Sequence, residues 1–169
     1  MPERPASRSG PTASPSQPAS FLCFDFGTRR VGVATGNTLL RSARPLKTLQ
    51  AEGDARFAAI AGLISQWQPC ALVVGVPLHP DGAAHENTRR AQRFARQLHG
   101  RFRLPVHEVD ERYTTAEALA AGAADADAAA AALILEQFLR SLDAGDRRGS
   151  EPSTAVIPLQ DPAHAATRC

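Results

Sequence analysis

Cysteine is scarce in this sequence, and its few cysteine residues stand far apart. Cys23, Cys70 and Cys169 are an odd number, 3 in 169 residues, and no two of them form a Cys-x-x-Cys pair. This spacing indicates neither a disulfide framework nor a zinc site, and it fits a reducing cytoplasm best. The chain also lacks any apolar run close to the roughly 18 residues that a membrane span requires. We therefore expect a soluble, cytoplasmic protein without a membrane partner.

A large excess of charge of either sign is also missing. The 19 Lys and Arg residues against 17 Asp and Glu residues give a formal net charge of +2, which is too small to make the whole chain a polycation. Any affinity for nucleic acid must then depend on where the positive charges lie. No segment resembles a module that reads bases, and RNA and DNA present the same phosphates, so both stay open as partners.

The apolar residues are concentrated in the middle of the chain. Residues 1–20 contain five prolines and five serines without an apolar run, which predicts a disordered tail. Residues 142–169 are predicted to be mostly disordered as well, although the short AVIPL patch is able to add a small edge strand. Residues 21–141 predict a single domain, because a hydrophobic content of 43% is enough to bury a core.

The hydrophobic pattern of this domain predicts the element order βββαβαβα. The predicted strands are residues 21–26, VGVATG, LLRSARPLKTL, ALVVGVP and PVHEV. Helices are predicted from Asp54 to Pro69, over ENTRRAQRFARQLHG, from a capping box at Thr114 and Glu117, and from Asp127 to Leu139. The predicted fold class is α/β, a mixed five-stranded sheet with helices packed against it.

Acidic side chains stand within or at the ends of these apolar elements. Asp25 lies inside the first strand, Glu111 follows the last strand, and Asp127 begins the last helix. Because sites form beyond the carboxyl ends of parallel strands, we expect these carboxylates to lie near one another. They would raise one another's pKa and destabilise the fold unless a cation neutralised them. Ligands that are all oxygen favour a hard ion, Mg²⁺ or Mn²⁺.

Each acid also has a purely structural interpretation. Asp25 precedes a glycine-containing turn that it is able to cap, and Glu111 beside Arg112 is able to form a surface ion pair of little energetic value. Asp127 is an ordinary N-cap candidate. Helical spacing nevertheless places Asp127 on the face that packs toward the sheet and Asp125 on the opposite side.

A stripe of arginines marks the second predicted helix. Arg89, Arg93 and Arg96 fall at spacings of four and three, opposite the apolar residues of that helix. A solvated helix face explains such a stripe, and so does a contact with the phosphate backbone, because guanidinium groups match phosphate in a bidentate manner. The three arginines are therefore candidate nucleic-acid ligands.

Four ordered blocks of the sequence resemble the YqgF/RuvX family of the RNase H-like superfamily. They are FDFGTRRVGVATG, VVGVPLHPDG, DERYTT and an acid followed by AAAAALILEQFL, within residues 21–139, about 70% of the chain. The first block alone would be weak, since actin-like and sugar-kinase ATPases also hold phosphate with Asp-x-Gly-Thr. Such an ATPase requires a second, duplicated domain, for which this chain has no room.

The resemblance implies a metal-dependent nuclease of RNase H-like fold that matures the 5′ end of 16S rRNA in ribosome biogenesis. It makes Asp25, Glu111 and Asp127 the catalytic ligands of Mg²⁺ or Mn²⁺. It makes Gly27, Thr28, Arg29 and Arg112 candidate substrate contacts. The implied partners are precursor rRNA and ribosomal particles, for a monomer or a homodimer. A Holliday junction resolvase-like DNA endonuclease and a non-catalytic nucleic-acid-binding regulator are the alternatives.

Overall fold

Residues 18–77, 85–111, 122–147 and 156–159, which the computed structural model describes, form a mixed sheet with helices on both faces. The strands are β1 (Ser20–Phe26), β2 (Val31–Asn37), β3 (Ala43–Leu49), β4 (Ala71–Val76), β5 (Val106–Asp110) and β6 (Val156–Leu159). The helices are α1 (Gly53–Trp67), α2 (Glu86–Phe102) and α3 (Ala126–Arg147). None of these helices is both long and apolar enough to cross a membrane.

The strand order across the sheet is β3-β2-β1-β4-β5-β6. The first three strands form the expected antiparallel meander, whereas β4 and β5 run parallel to β1. This arrangement confirms the predicted α/β class and the mixed sheet. The short AVIPL patch supplies β6, which pairs antiparallel with β5 as a sixth strand at the edge.

The structure differs from the predictions in the ends of some elements and in the state of one cysteine. The third strand begins at Ala43 and not at the predicted LLRS segment. The last helix continues through Arg147, well past the predicted end at Leu139. Cys23 is a free, buried thiol, whereas Cys70 is disulfide-bonded, a pairing that the cysteine spacing did not indicate. The predicted helix at Thr114 lies outside the described residues. The division into one domain and two tails stays a prediction.

Alternation along β1 divides the core into two layers. Leu22 and Phe24 point toward α1 and α2, on what we call the α1/α2 face, and belong to one buried cluster with residues of those helices. Phe21 and Cys23 point the other way and pack with α3, on the α3 face. Because successive strand residues alternate between faces, Asp25 shares the α3 face with Cys23.

Candidate active site

Asp25 is flanked by glycines on both neighbouring strands. Its register partner on β2 is Gly32, and its register partner on β4 is Gly75. A row of the sheet that has no side chain on either side of a carboxylate leaves space above it on the α3 face. Groups from other parts of the chain are therefore able to approach Asp25 closely.

The Glu111 carboxylate occupies the space above Gly75. A Cβ atom added at Gly75 would lie only 1.9 Å from Glu111 Oε1 and 2.8 Å from the Cδ1 atom of Ile134. The Oε1 atom is buried, and the backbone N–H of Glu111 donates to the carbonyl of Val76 at 3.1 Å, which extends the β4–β5 pairing by one residue. Glu111 thus lies against the strand next to Asp25, as the sequence predicted.

The beginning of α3 occupies the space above Gly32. A Cβ atom there would lie 1.9 Å from the backbone oxygen of Asp127, so only glycine allows the helix to start at this position. Asp125 caps the helix: its Oδ1 accepts from the amide of Ala128 at 3.1 Å and from the hydroxyl of Thr48. The interpretation of Asp127 as the N-cap is therefore wrong, because Asp125 holds that position.

Asp25 and Asp127 open onto one cleft of about 500 Å³. The cleft is lined by Asp25, Phe26, Gly27, Thr28, Arg29, Arg30 and Asp127. Residues 27–30, here called the cleft loop, join β1 to β2, and the Gly27 amide donates to the Arg30 carbonyl at 2.8 Å. The structure thus places the predicted Gly27, Thr28 and Arg29 beside the two acids.

Arg30 is a cleft residue that the sequence reasoning missed. Its Nε atom lies 3.1 Å from Asp127 Oδ2, and more than half of its side chain is exposed. The signal was present in strand alternation: Arg30 is two residues before Gly32 and therefore lies on the α3 face. The pair brings a guanidinium to the side of the cleft where α3 begins.

The charges of two acids act on the same buried thiol. Burial raises the pKa of Cys23 well above its ordinary value, and the negative charges of Asp25 and Glu111 raise it further. At the helix cap, burial alone would raise the pKa of Asp125, but the hydrogen bonds from Thr48 and from the helix amide lower it. Asp125 is thus stabilised as the charged cap of α3, while Asp25 and Glu111 share one electrostatic environment.

The three acids match a hard divalent cation in chemical type, since all their donor atoms are carboxylate oxygens on one face of the sheet. Within the described parts of the chain, no group of three His, Cys, Asp or Glu side chains is close enough together to hold a metal ion as it stands. Asp25 and Asp127 share the cleft, and Glu111 lies over the neighbouring strand.

The arginine stripe lies away from this cleft. Arg89, Arg93 and Arg96 are exposed on α2, which packs on the α1/α2 face. Arg96 acts on Glu108 of β5: burial raises the pKa of Glu108, and the guanidinium opposes that rise. The predicted nucleic-acid contact of the stripe stays a prediction. The predicted contact of Arg112 lies outside the described residues.

The family model RuvX, described as Holliday junction resolvase, matches residues 19–141. The chain belongs to the RuvX family. RuvX relatives named "Putative pre-16S rRNA nuclease" cover most of its length. The relative in Albidiferax ferrireducens is 62% identical over 149 residues, and the match covers 84% of this chain and 96% of the relative.

Two further RuvX relatives carry the same name. The one in Polaromonas sp. is 69% identical over 123 residues, covering 73% of this chain and 89% of the relative. The one in Burkholderia pseudomallei is 51% identical over 138 residues, covering 78% of this chain and 94% of the relative. Among solved structures, Thermus thermophilus RuvC in complex with Holliday junction substrate is 15% identical with a TM-score of 0.48, over 83% of this chain and 99% of that one.

Proposed function

We propose that this RuvX chain is a metal-dependent nuclease that hydrolyses phosphodiester bonds at the 5′ end of the 16S rRNA precursor. Relatives that are 51%, 62% and 69% identical to it carry the name of a pre-16S rRNA nuclease. The observation that carries the proposal is the approach of Glu111 and Asp127 to Asp25 across the two glycines of its sheet row. A carboxylate inside an apolar strand is costly unless such a site uses it.

Asp25, Glu111 and Asp127 would hold Mg²⁺ or Mn²⁺, the ions that all-oxygen ligands favour. Such ions, when bound, supply an activated water and stabilise the leaving oxygen of a phosphodiester. Gly75 supports this fit, because its missing side chain lets the buried Glu111 carboxylate lie beside the strand of Asp25. Asp25 lies in β1, Glu111 directly follows β5 and Asp127 lies in the first turn of α3, so the sheet and α3 together determine their spacing.

The cleft loop would hold the substrate phosphate. Arg29 and Arg30 are exposed at the cleft, and a guanidinium binds phosphate oxygens in a planar, bidentate manner. Arg30 is oriented by Asp127, which keeps its positive charge beside the acids. Contacts of this kind recognise the phosphate backbone and not the bases. Selection of a cleavage site therefore depends on the shape of the folded RNA.

We assign the reaction to the cytoplasm, on precursor rRNA or on ribosomal particles that contain it, by a monomer or a homodimer. The description of the RuvX family model favours a second candidate, cleavage of four-way DNA junctions. Two strands cut at one junction would then require a symmetric dimer.

A cleavage assay tests the proposal and separates the candidates. The substrates are an RNA that carries the 5′ extension of 16S rRNA and a four-way DNA junction, each with Mg²⁺, with Mn²⁺ and with chelator. We expect metal-dependent cleavage of the RNA. Cleavage of the DNA junction alone would show that the substrate is DNA and not precursor rRNA. Binding that is undiminished in chelator, without cleavage under any condition, would favour a non-catalytic regulator.

Two variants test the site in the same assay. Asp25→Asn and Glu111→Gln are expected to lower cleavage by about a thousandfold or more, the scale seen when part of a catalytic unit is removed. Their nucleic-acid affinity should stay close to that of the wild type, because these acids hold the metal and not the phosphate backbone. Cleavage by either folded variant at a near wild-type rate would contradict the metal site.

A further inference from the structure

Arg56 of α1 is a charged side chain in the interior. It is only 6% exposed, and burial lowers the pKa of its guanidinium from the ordinary value. Its Nε atom donates to the carbonyl of Ala51 at 2.8 Å, and its Nη2 atom donates to the carbonyl of Thr28 at 2.9 Å. The guanidinium carbon also lies 5.7 Å from the centroid of the Phe26 ring.

The second of these hydrogen bonds connects α1 with the cleft loop. Thr28 is a cleft-loop residue, and its neighbours Arg29 and Arg30 present their side chains at the cleft. Within the loop, the bond from the Gly27 amide to the Arg30 carbonyl fixes the turn. Arg56 fixes the middle of the same loop from the α1/α2 face, the side of the sheet opposite the acids.

A buried guanidinium is costly to desolvate, and hydrogen bonds to carbonyl oxygens offset only part of that cost. An apolar side chain would fill a core position beside Phe26 without this penalty. The hydrogen-bond donors of Arg56 are used on loop carbonyls that no apolar side chain is able to hold. The geometry therefore relates this residue to the position of the loop more closely than to the packing of the core.

We infer that Arg56 is a positioning residue, which holds the cleft loop so that Arg29 and Arg30 meet the substrate phosphate. Its catalytic consequence rests on the proposed nuclease function, whereas its effect on the loop does not. Small displacements of phosphate-binding groups have large effects on rate, and a shift of about 1 Å is able to cost about 100-fold.

The test compares Arg56→Met and Arg56→Lys with Arg101→Met in the full chain. Arg101 is a matched control, because its guanidinium carbon stacks 4.1 Å from the centroid of the Phe57 ring and its Nη2 atom pairs with Asp54 at 3.1 Å, both on α1. Like Arg56, it combines a contact with an aromatic ring and a polar partner, but it lies on α2 and its partners are on α1, not in the cleft loop. Amide hydrogen exchange of Gly27 without nucleic acid or metal measures the closure of the loop directly.

We expect amide exchange at Gly27 to be at least about tenfold faster in Arg56→Met, because the cleft loop opens more often without the hydrogen bond to Thr28. We also expect kcat per folded molecule to fall by about 10- to 100-fold. Arg56→Lys keeps the charge and one donor and should recover part of both effects. Arg101→Met should leave both quantities near wild type, even where it lowers Tm.

The outcomes separate this inference from the proposed function. If Arg56→Met is folded and exchange at Gly27 is unchanged, Arg56 does not hold the loop. If exchange rises but kcat per folded molecule stays at the wild-type value, the loop position does not serve catalysis. If the wild type cleaves no nucleic acid, the proposed function fails, and the exchange result still decides the contact. If Arg56→Met does not fold, Arg56→Lys decides: an exchange rate at Gly27 and a kcat equal to those of the wild type would overturn the inference.

Discussion

The two faces of the sheet are packed with different kinds of side chain. The α1/α2 face is filled by aromatic rings around Phe94, whose centroid lies 6.0 Å from Phe24, 4.9 Å from Phe26 and 6.0 Å from Phe57. The α3 face holds one aromatic pair, Phe21 with Phe138, and many small residues, among them a run of alanines in α3 and the alanines and cysteine of the strands beneath it. Large rings supply burial free energy. Small residues instead let α3 approach the sheet closely, and this approach brings Asp127 to the cleft beside Asp25.

The largest expected effect separates two neighbouring acids on the α3 face. Asp127→Asn should lower metal-dependent cleavage by about a thousandfold or more, because it removes a proposed ligand of the metal. Asp125→Ala should cost about 1 kcal/mol of stability, because it removes the helix cap, while cleavage in the folded fraction is kept. Melting temperature and cleavage, measured for both variants, decide between the roles. Full activity of a folded Asp127→Asn protein would contradict the three-acid site.

The next effect tests whether the small residues serve the site. Gly75→Ala introduces a methyl group where the Glu111 carboxylate lies, so the carboxylate and the nearby Ile134 side chain must move. We expect kcat to fall about 10- to 100-fold. The control on the opposite face is Phe94→Leu, which should lower stability by about 1–3 kcal/mol and leave kcat per folded molecule unchanged. If Gly75→Ala and Phe94→Leu have equal kcat values, the small residues of the α3 face do not serve catalysis more than the rings of the opposite face.

A smaller effect is expected from the surface of the α1/α2 face. Replacing Arg89, Arg93 and Arg96 together by Gln should weaken binding of nucleic acid and reduce the slope of log affinity against log salt by up to about 2, because fewer counterions are released. Arg90→Gln is the control, since Arg90 already pairs with Glu86 at 2.8 Å. Salt titrations of binding measure both. An unchanged slope in the triple variant would show that the stripe is a solvated helix face that does not contact the phosphate backbone.

The smallest effect concerns pH. Burial lowers the pKa of His107, which packs against Phe138 on the α3 face, so the unfolded chain binds this proton more readily than the folded one. Stability from this group is present above the ordinary pKa of about 6.5 and is lost as pH falls below it. Burial raises the pKa of Glu108, so its contribution has the opposite sign: it is present at low pH and is lost as pH rises through the raised value.

Urea unfolding between pH 4 and 8 checks this prediction. His107→Leu should flatten the loss of stability below about pH 6.5, whereas Glu108→Gln should leave that part of the profile in place. If His107→Leu has the same dependence of unfolding free energy on pH as the wild type, the imidazole of His107 does not contribute to that dependence.

Local patterns predicted the sheet well and its cross-strand relations poorly. The apolar runs of β1 and β4 identify buried strands without further information, and the family resemblance orders them. The pairing of Asp25 with Gly32 and Gly75 depends on the register of three strands, of which β4 is far from β1 and β2 in the sequence. No single segment contains that register, so the space above these glycines became visible only in the structure.

Tertiary contacts also decide roles that the sequence left open or did not indicate. Asp125 and Asp127 are both acids at the start of one helix, and the bond from Thr48 of β3, a tertiary contact, selects Asp125 as the cap. Arg56 is a polar residue among apolar ones in α1, a pattern that usually marks an exposed position. Its burial depends on the carbonyl of Thr28, which another part of the chain provides.

The packing of α3 over β2 has a consequence for the order in which the chain is made. A growing chain that ends before α3 already contains Asp25 and Glu111, but it has neither Asp127 nor the helix that covers Gly32. Chains emerge from the ribosome with the N-terminal part first, and contacts between distant residues form late. If the chain is the nuclease proposed above, its activity begins only when synthesis has passed the last helix, so incomplete chains do not cut RNA.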